Sequence, residues 1–277
     1  MDKAELKEVK LLATKIRKDV MEMLRHRGYG HLGGSLSIVE LMAVLYGKVL
    51  HVDPSNPQME DRDMVVLSKG HCGPAWYSAL AEKGYFPKEK LMTLNDGGTM
   101  LPSHPDRTKT PGVDMTTGSL GQGTSSAAGI AYGQRLKGSK RFTYLIVGDG
   151  ELNEGQCWEA AMFTAAKKLT NITWIIDDNK RQLDGWTANV LNPFNFEEKF
   201  RAFGFDAVTV KGDDVMGLYE ALTAPAGDKP KAIVLDSVKG AGVADVVNTF
   251  GNHSMSPSKD TCDKWLAELR AELAAME

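Results

Sequence analysis

The chain predicts an α/β domain: a doubly wound, mostly parallel sheet with helices on both faces. Three observations carry this expectation. From residue 143 onward, strand-length apolar runs alternate with helix-length segments. The runs over 143–147 and 172–177 read as buried strands. They end in Gly148-Asp149-Gly150 and Asp177-Asp178-Asn179, and in a parallel sheet two such ends lie on the same edge. The 277 residues, 42% of them hydrophobic, suffice for one large domain spanning 1–277 and are few for two.

Residues 4–26 form the first predicted element. Leu6, Val9, Leu12, Ile16, Val20 and Met23 recur at three- and four-residue steps, the spacing of an amphipathic helix. Gly28, Gly30, Gly33 and Gly34 break it. A second helix is expected over 37–49 with Ser37 as its N-cap. A buried strand is expected over 63–68, with Gly70-His71 at its end and a helix over 75–83. Residues 95–121 hold several Gly and Pro without a period, which predicts a long loop of the kind that often carries function. Residues 122–136 read as a helix rich in small residues, suited to close packing. The strands that follow are placed at 143–147, 172–177, 205–210 and 232–238. The helices between them are placed at 155–168, 195–203 and 213–223, and a helix over 260–276 closes the chain. No internal repeat, low-complexity segment or linker interrupts this order.

Composition excludes several classes. A net charge of −3 offers no basic surface for nucleic acid. No apolar run is long enough to span a membrane, and the polar first residues have no signal-peptide core behind them. Cys72, Cys157 and Cys262 lack metal spacing and read as reduced thiols of a cytoplasmic protein, Cys157 as a buried filler.

Asp149 and Asn179 are the strongest candidate pair. Taken singly, Asp149 reads as a helix cap and Asn179 as a turn residue. Together, after two buried strands, they supply hard oxygen ligands of the kind that hold Mg²⁺ or Ca²⁺ against phosphates. A backbone carbonyl near Arg181 provides a third ligand, and two diphosphate oxygens and a water complete the octahedron that Mg²⁺ requires. Asp177 is expected to tune this site from behind.

Of the six histidines, His31, His71, His104 and His253 each sit on a Gly- or Pro-rich turn. A single loop histidine is ordinarily just exposed; four suggest neutral imidazoles serving a hydroxyl-rich substrate or moving protons. His26 and His51 lack that setting and read as structural or exposed. The run Thr117-Gly118-Ser119-Leu120-Gly121-Gln122-Gly123 opens a helix, and its glycines permit close backbone approach to a ligand. Glu154, placed one turn into the helix after Gly148-Asp149-Gly150, reads as an acid favoured at a helix N-terminus.

The order and spacing of the 148–150 and 177–179 motifs resemble the thiamine diphosphate signature, and the whole set resembles the transketolase family. Gly30-His31-Leu32-Gly33-Gly34 and Ser68-Lys69-Gly70-His71 resemble that family's two Gly-His motifs. Residues 117–123 match its Thr-Gly-Pro-Leu-Gly-Gln-Gly, with Ser119 in place of proline. Gly148-Asp149-Gly150, Asp178-Asn179 and Leu183-Asp184-Gly185 match its cofactor motif.

The resemblance implies metal ligation by Asp149, Asn179 and the Arg181 carbonyl. It implies thiamine diphosphate contacts from His71, Gly118, Leu120, Gly150 and Leu183, with His253 touching the diphosphate as well. His31, His104 and His253 would handle a ketose substrate and its protons alongside His71, and Glu154 would lie near a subunit interface. Full-length transketolases continue into a pyrimidine-binding domain, which carries the glutamate that activates the cofactor, and into a C-terminal domain. Neither is recognisable here.

The implied protein is the N-terminal subunit of a split transketolase. A C-terminal partner subunit would carry the pyrimidine-binding domain, in an α₂β₂ assembly acting on sugars or sugar phosphates. A deoxyxylulose-phosphate-synthase-like or dehydrogenase-like subunit shares the cofactor motif, and a non-catalytic diphosphate-binding module is the third reading. The Gly-His histidines favour ketose handling.

Overall fold

In a computed structural model that describes residues 1–225 and 227–277, the first helix, α1 (Lys3–Arg27), starts from a capping box. The Asp2 carboxylate accepts from the Glu5 N–H, and the Glu5 carboxylate accepts from the Asp2 N–H. Gly28, at φ 84°, ends the helix in the left-handed conformation.

The expected single helix over 37–49 is instead two short helices, α2 (Gly33–Leu36) and α3 (Val39–Val44), followed by one wider turn over Leu45–Val49. Ser37 is not an N-cap. It closes α2, and its hydroxyl donates to Asp177 at 2.7 Å, across the sheet edge. A serine ahead of an apolar run looks the same in sequence either way; a carboxylate 140 residues distant decides which role it takes.

Five parallel strands form the sheet: β1 (Met64–Leu67), β2 (Thr143–Gly148), β3 (Ile172–Asp178), β6 (Asp206–Lys211) and β7 (Lys231–Asp236), in the order β1-β2-β3-β7-β6. A small antiparallel pair, β4 (Arg181–Gln182) and β5 (Gly185–Trp186), follows β3. The remaining helices are α4 (Gly73–Lys83), α5 (Gln122–Leu136), α6 (Gly155–Ala166), α7 (Thr187–Leu191), α8 (Phe196–Ala202), α9 (Val215–Thr223), α10 (Ala244–Asn248) and α11 (Lys259–Met276). The main strands and helices fall within two residues of their expected ends. A short 3₁₀ helix over Lys88–Thr93, the β4–β5 pair, α7 and α10 are additions, each too short to show a period in the sequence.

Alternate strand residues feed two cores. Val65, Ile146, Ile175 and Ile233 pack beneath α1, α3, α4, α9 and α11. Val66, Leu145, Trp174 and Ala232 pack beneath α5, α6 and α8. α1 and α11, the two ends of the chain, lie together on the first face. Thr14 donates to Glu272 at 3.2 Å, and Arg25 pairs with Asp263.

This layering places the site. The chain leaving β3 crosses to the α8 face, whereas the chain leaving β7 passes to the α11 face. Connections that part in this way open a crevice at the carboxyl ends of the strands, where α/β sheets bind ligands.

Candidate active site

Four turns meet at those strand ends. Ser68-Lys69-Gly70-His71 follows β1, residues 148–151 follow β2, Asn179 to Arg181 follow β3, and Ser237 to Lys239 follow β7. They border a cleft of about 370 Å³ into which the 30–34, 104, 118–120 and 253 segments also project.

Asp177 is the hub beneath the cleft. It is fully buried and accepts hydrogen bonds from Ser37, Lys69, Asn179 and Ser237. Burial pushes its carboxyl up, but the Lys69 ammonium and the hydroxyl donors outweigh this and hold it below the usual carboxylate value. Its bond from the Asn179 side-chain NH₂ (2.7 Å) fixes that amide, whose oxygen accepts the Arg181 N–H at 3.2 Å.

Asp149 is also buried, with weaker support: the Gly150 N–H at 2.8 Å and the Thr187 hydroxyl at 2.9 Å. Burial and then the nearby Asp177 charge push its carboxyl up to about 7. A Cβ on Gly150 would stand 2.8 Å from the Gln182 Cβ, so the backbone beside Asp149 has no room for a side chain. The Arg181 side chain turns away to the Val247 and Thr249 carbonyls and stacks on Trp186 at 4.3 Å. The Arg181 carbonyl itself accepts from the Lys239 ammonium at 2.9 Å.

The four loop histidines converge. Ring centroids lie 5.5 Å apart for His31 and His71, 5.8 Å for His31 and His104, 5.3 Å for His31 and His253, and 4.8 Å for His71 and His253. Burial lowers all four below the ordinary histidine value. The His104 charge adds to the effect at His31, Lys69 adds to it at His71, and Lys239 helps bring His253 to about 4. All four are therefore neutral at neutral pH. His26 and His51 are exposed and stand apart.

The cleft contains residues that no sequence motif singles out. Glu151 is buried and accepts from the Ser68 hydroxyl, the Gly121 N–H (2.8 Å) and the Gly148 N–H (3.1 Å), tying three turns together. Lys69 lies inside the second Gly-His motif, where the sequence gives it no role. Lys239 lies in Val238-Lys239-Gly240-Ala241-Gly242, whose glycine spacing at the end of a strand is the signal that could have found it. Gly70 lies so close to the 117–118 turn that a Cβ would stand 2.8 Å from the Gly118 nitrogen. Gly118 itself has φ 149°. Leu120 and Leu183 stand at the rim, 38% and 70% exposed. Glu154 is exposed immediately before α6, rather than one turn inside it. Cys72, Cys157 and Cys262 are buried free thiols.

Fold and cleft together define a parallel α/β domain of the thiamine diphosphate-binding class. The chain belongs to the transketolase family: residues 8–270 match the family model for the transketolase thiamine diphosphate binding domain. It is 45% identical over 264 residues to the 6-deoxy-6-sulfo-D-fructose transketolase subunit SqwG of Clostridium sp. strain MSTE9, covering 94% of this chain and 95% of that one. It is 39% identical over 245 residues to one of the subunits of the apulose-4-phosphate transketolase of Actinobacillus succinogenes, covering 88% of each. The transketolase structure from Leishmania mexicana superposes with a TM-score of 0.84 at 28% identity, over 97% of this chain but 46% of that one. The chain thus spans nearly the length of the subunit relatives and under half of that transketolase chain.

Proposed function

We propose that this chain is the N-terminal subunit of a split transketolase, moving a two-carbon ketol unit from a ketose or ketose phosphate to an aldose or aldose phosphate. The observation that carries this reading is one cleft in which four neutral imidazoles stand with Asp149 and Asn179. The names of the similar subunits support it, as does their matching length.

The residues present fit a divalent cation and a diphosphate. Among the described residues no three His, Cys, Asp or Glu side chains cluster as a metal cage. The available donors are one carboxylate, one amide oxygen and one carbonyl, which leaves positions for phosphate oxygens and suits Mg²⁺ or Ca²⁺. The Asp149 carboxyl, raised to about 7 by burial and by Asp177, gains its natural counter-charge from such a cation. Asp149, Asn179 and the Arg181 carbonyl would hold the metal. His71, His253, Gly118, Leu120, Gly150 and Leu183 would border thiamine diphosphate, which supplies the carbanion-stabilising chemistry when bound.

His31, His104 and His253 would hydrogen-bond the sugar hydroxyls and exchange protons with them, as neutral imidazoles do at neutral pH. His71 joins them from the cofactor side. A C-terminal partner subunit bearing the pyrimidine-binding domain would cover the rim at Leu120 and Leu183 in an α₂β₂ complex. The assembly would act in the cytoplasm; among the described residues no helix is long and apolar enough to cross a membrane.

The test is reconstitution. Tagged chain is recovered from its native cell with thiamine diphosphate and Mg²⁺, and any co-purifying chain with a pyrimidine-binding domain is expressed and recombined with it. Ketol transfer by the pair and none by either chain alone is the expected result. Full transfer by this chain alone would sink the split reading. Turnover of pyruvate in place of a ketose or ketose phosphate by the pair would sink the transketolase reading.

A further inference from the structure

The sheet carries a polar row at the edge opposite the cleft. Tyr144 on β2, Thr173 on β3 and Lys231 on β7 stand in register at the amino ends of three neighbouring strands. Side chains alternate along a strand, so these three share a face with Ile146, Ile175 and Ile233, two residues further on. That next row is buried and wholly apolar. The polar row instead borders a second cavity, of about 370 Å³, walled also by His51, Asp63, Lys140 and the end of α9. Its volume falls in the range of small-molecule sites. About 13 Å of β2 separates it from the cleft.

The ends of strands are commonly polar because water reaches them. Tyr144 and Thr173 are not in that position, being 5% and 4% exposed. Both line the cavity, and among the described residues neither hydroxyl has a hydrogen-bond partner. A buried hydroxyl left unpaired is costly, so two side by side call for a partner from outside the chain.

Charge says what that partner is. The Lys231 ammonium donates to the Ala221 and Ala224 carbonyls at 2.9 and 2.8 Å, which leaves its third N–H uncommitted. Asp206, opposite it on β6, forms no ion pair with it. Lys140, exposed at the mouth, likewise has no carboxylate partner among the described residues. The acids nearby are engaged: Asp63 accepts from the His51 and Phe142 N–H groups at 2.8 and 2.9 Å, and Asp61 pairs with Arg141. Two unmatched ammoniums and two hydroxyl donors suit a phosphate ester, which carries nearly two charges at neutral pH and offers three acceptor oxygens.

We propose that this cavity is a second ligand site, for a small phosphorylated molecule: the Lys231 ammonium meets the phosphate, and the Tyr144 and Thr173 hydroxyls donate to oxygens of the ligand. The proposal goes beyond the transketolase reading and does not depend on it.

The experiment uses the full chain with EDTA present, so that no binding runs through a metal. Inorganic phosphate and glycerol 3-phosphate are titrated at constant ionic strength and followed by phosphorus NMR line broadening. The wild type should bind glycerol 3-phosphate. Lys231→Met should weaken that binding about tenfold or more. Tyr144→Phe and Thr173→Val, which keep size and remove only a hydroxyl, should each weaken it about threefold or more. His253→Ala, in the cleft, should leave it unchanged. Without ligand, the two hydroxyl variants should melt no lower than the wild type, because they remove groups that bond to nothing in the fold.

No binding of either probe by the wild type would overturn the site, as would binding that all three cavity variants leave unchanged. Loss of binding in His253→Ala but not in Lys231→Met would put the phosphate in the cleft and equally overturn it. A lower melting temperature for both hydroxyl variants without ligand would make the hydroxyls structural and overturn their role. Should Lys231→Met fail to fold, the two hydroxyl variants carry the test.

Discussion

Lys69 and Asp177 form an ion pair with both side chains buried, joining the ends of β1 and β3 across the end of β2. The pair also fixes the 31–37 segment, since Lys69 donates to the Gly34 carbonyl at 3.0 Å and Asp177 accepts from Ser37. Removing one partner leaves the other charge buried and unmatched. Lys69→Met should therefore cost about 3–5 kcal/mol, whereas Lys69→Met with Asp177→Asn should recover part of the loss. Urea unfolding of the two singles and the double closes the cycle. Additive losses would mean the two charges do not act as a pair.

The proposed site map separates two kinds of loss. Asp149→Ala should abolish metal-dependent thiamine diphosphate binding, because it removes the carboxylate proposed to hold the metal. His104→Ala should leave that binding within about twofold while reducing ketol transfer by roughly 10²-fold or more in the reconstituted enzyme. Calorimetry reads the first effect and steady-state kinetics the second. Unchanged cofactor affinity in Asp149→Ala would remove Asp149 from the metal site, and collapse of cofactor binding in His104→Ala would give that ring a different role.

Gly70 is a position where size alone is at issue. Its missing Cβ would stand 2.8 Å from the Gly118 nitrogen and 2.9 Å from the Thr117 carbonyl carbon, and backbone cannot step aside as a side-chain tip can. Gly70→Ala should push the 117–121 turn outward, weakening thiamine diphosphate binding by about tenfold or more with a stability loss of about 1–3 kcal/mol. Gly129→Ala, mid-helix in the α5 that the same turn opens and with open space around it, serves as the control: cofactor binding should be unchanged and stability should rise by about 0.5–1 kcal/mol. Equal behaviour of the two variants would show that the close approach is unimportant.

Asp19, far from the cleft, gives a pH prediction of definite sign. Its carboxylate is buried on α1, and burial pushes the carboxyl from 3.8 to about 6 against the pull of Lys88 and Lys18. Those ammoniums lie 3.1 Å from its oxygens, but at angles that make no hydrogen bond. A carboxyl raised in the folded state favours folding while it is protonated, and that contribution is lost as pH rises from 3.8 through about 6. Asp19→Asn should therefore stabilise the protein by about 1–3 kcal/mol at pH 8, with the gain shrinking towards pH 4. Thermal melts across that range check it. A gain independent of pH would place the effect in packing rather than charge.

Much of this is legible in sequence because the signals are local. The α5 boundaries at 122 and 136 follow from a glycine-rich entry and a run of small residues, and the strand ends at Asp149 and Asn179 follow from apolar runs meeting Gly and Asp. His31, His71, His104 and His253 are marked by their turns. The groups that escape notice are those whose role is fixed by a distant partner. Lys69 finds Asp177 at a separation of 108 residues, Lys239 finds Arg181 at 58, and Ser37 loses its expected cap to Asp177 at 140. No window of sequence contains both halves of such a contact.

The clasp of α1 against α11 has a consequence for how the molecule comes into being. α1 is made before α11, so its apolar stripe packs first against α3 and α4 and is completed only when α11 has emerged. That part of the sheet's cover thus closes late. Until then one strip of a greasy helix stays open to solvent, the condition under which chaperones engage a polypeptide.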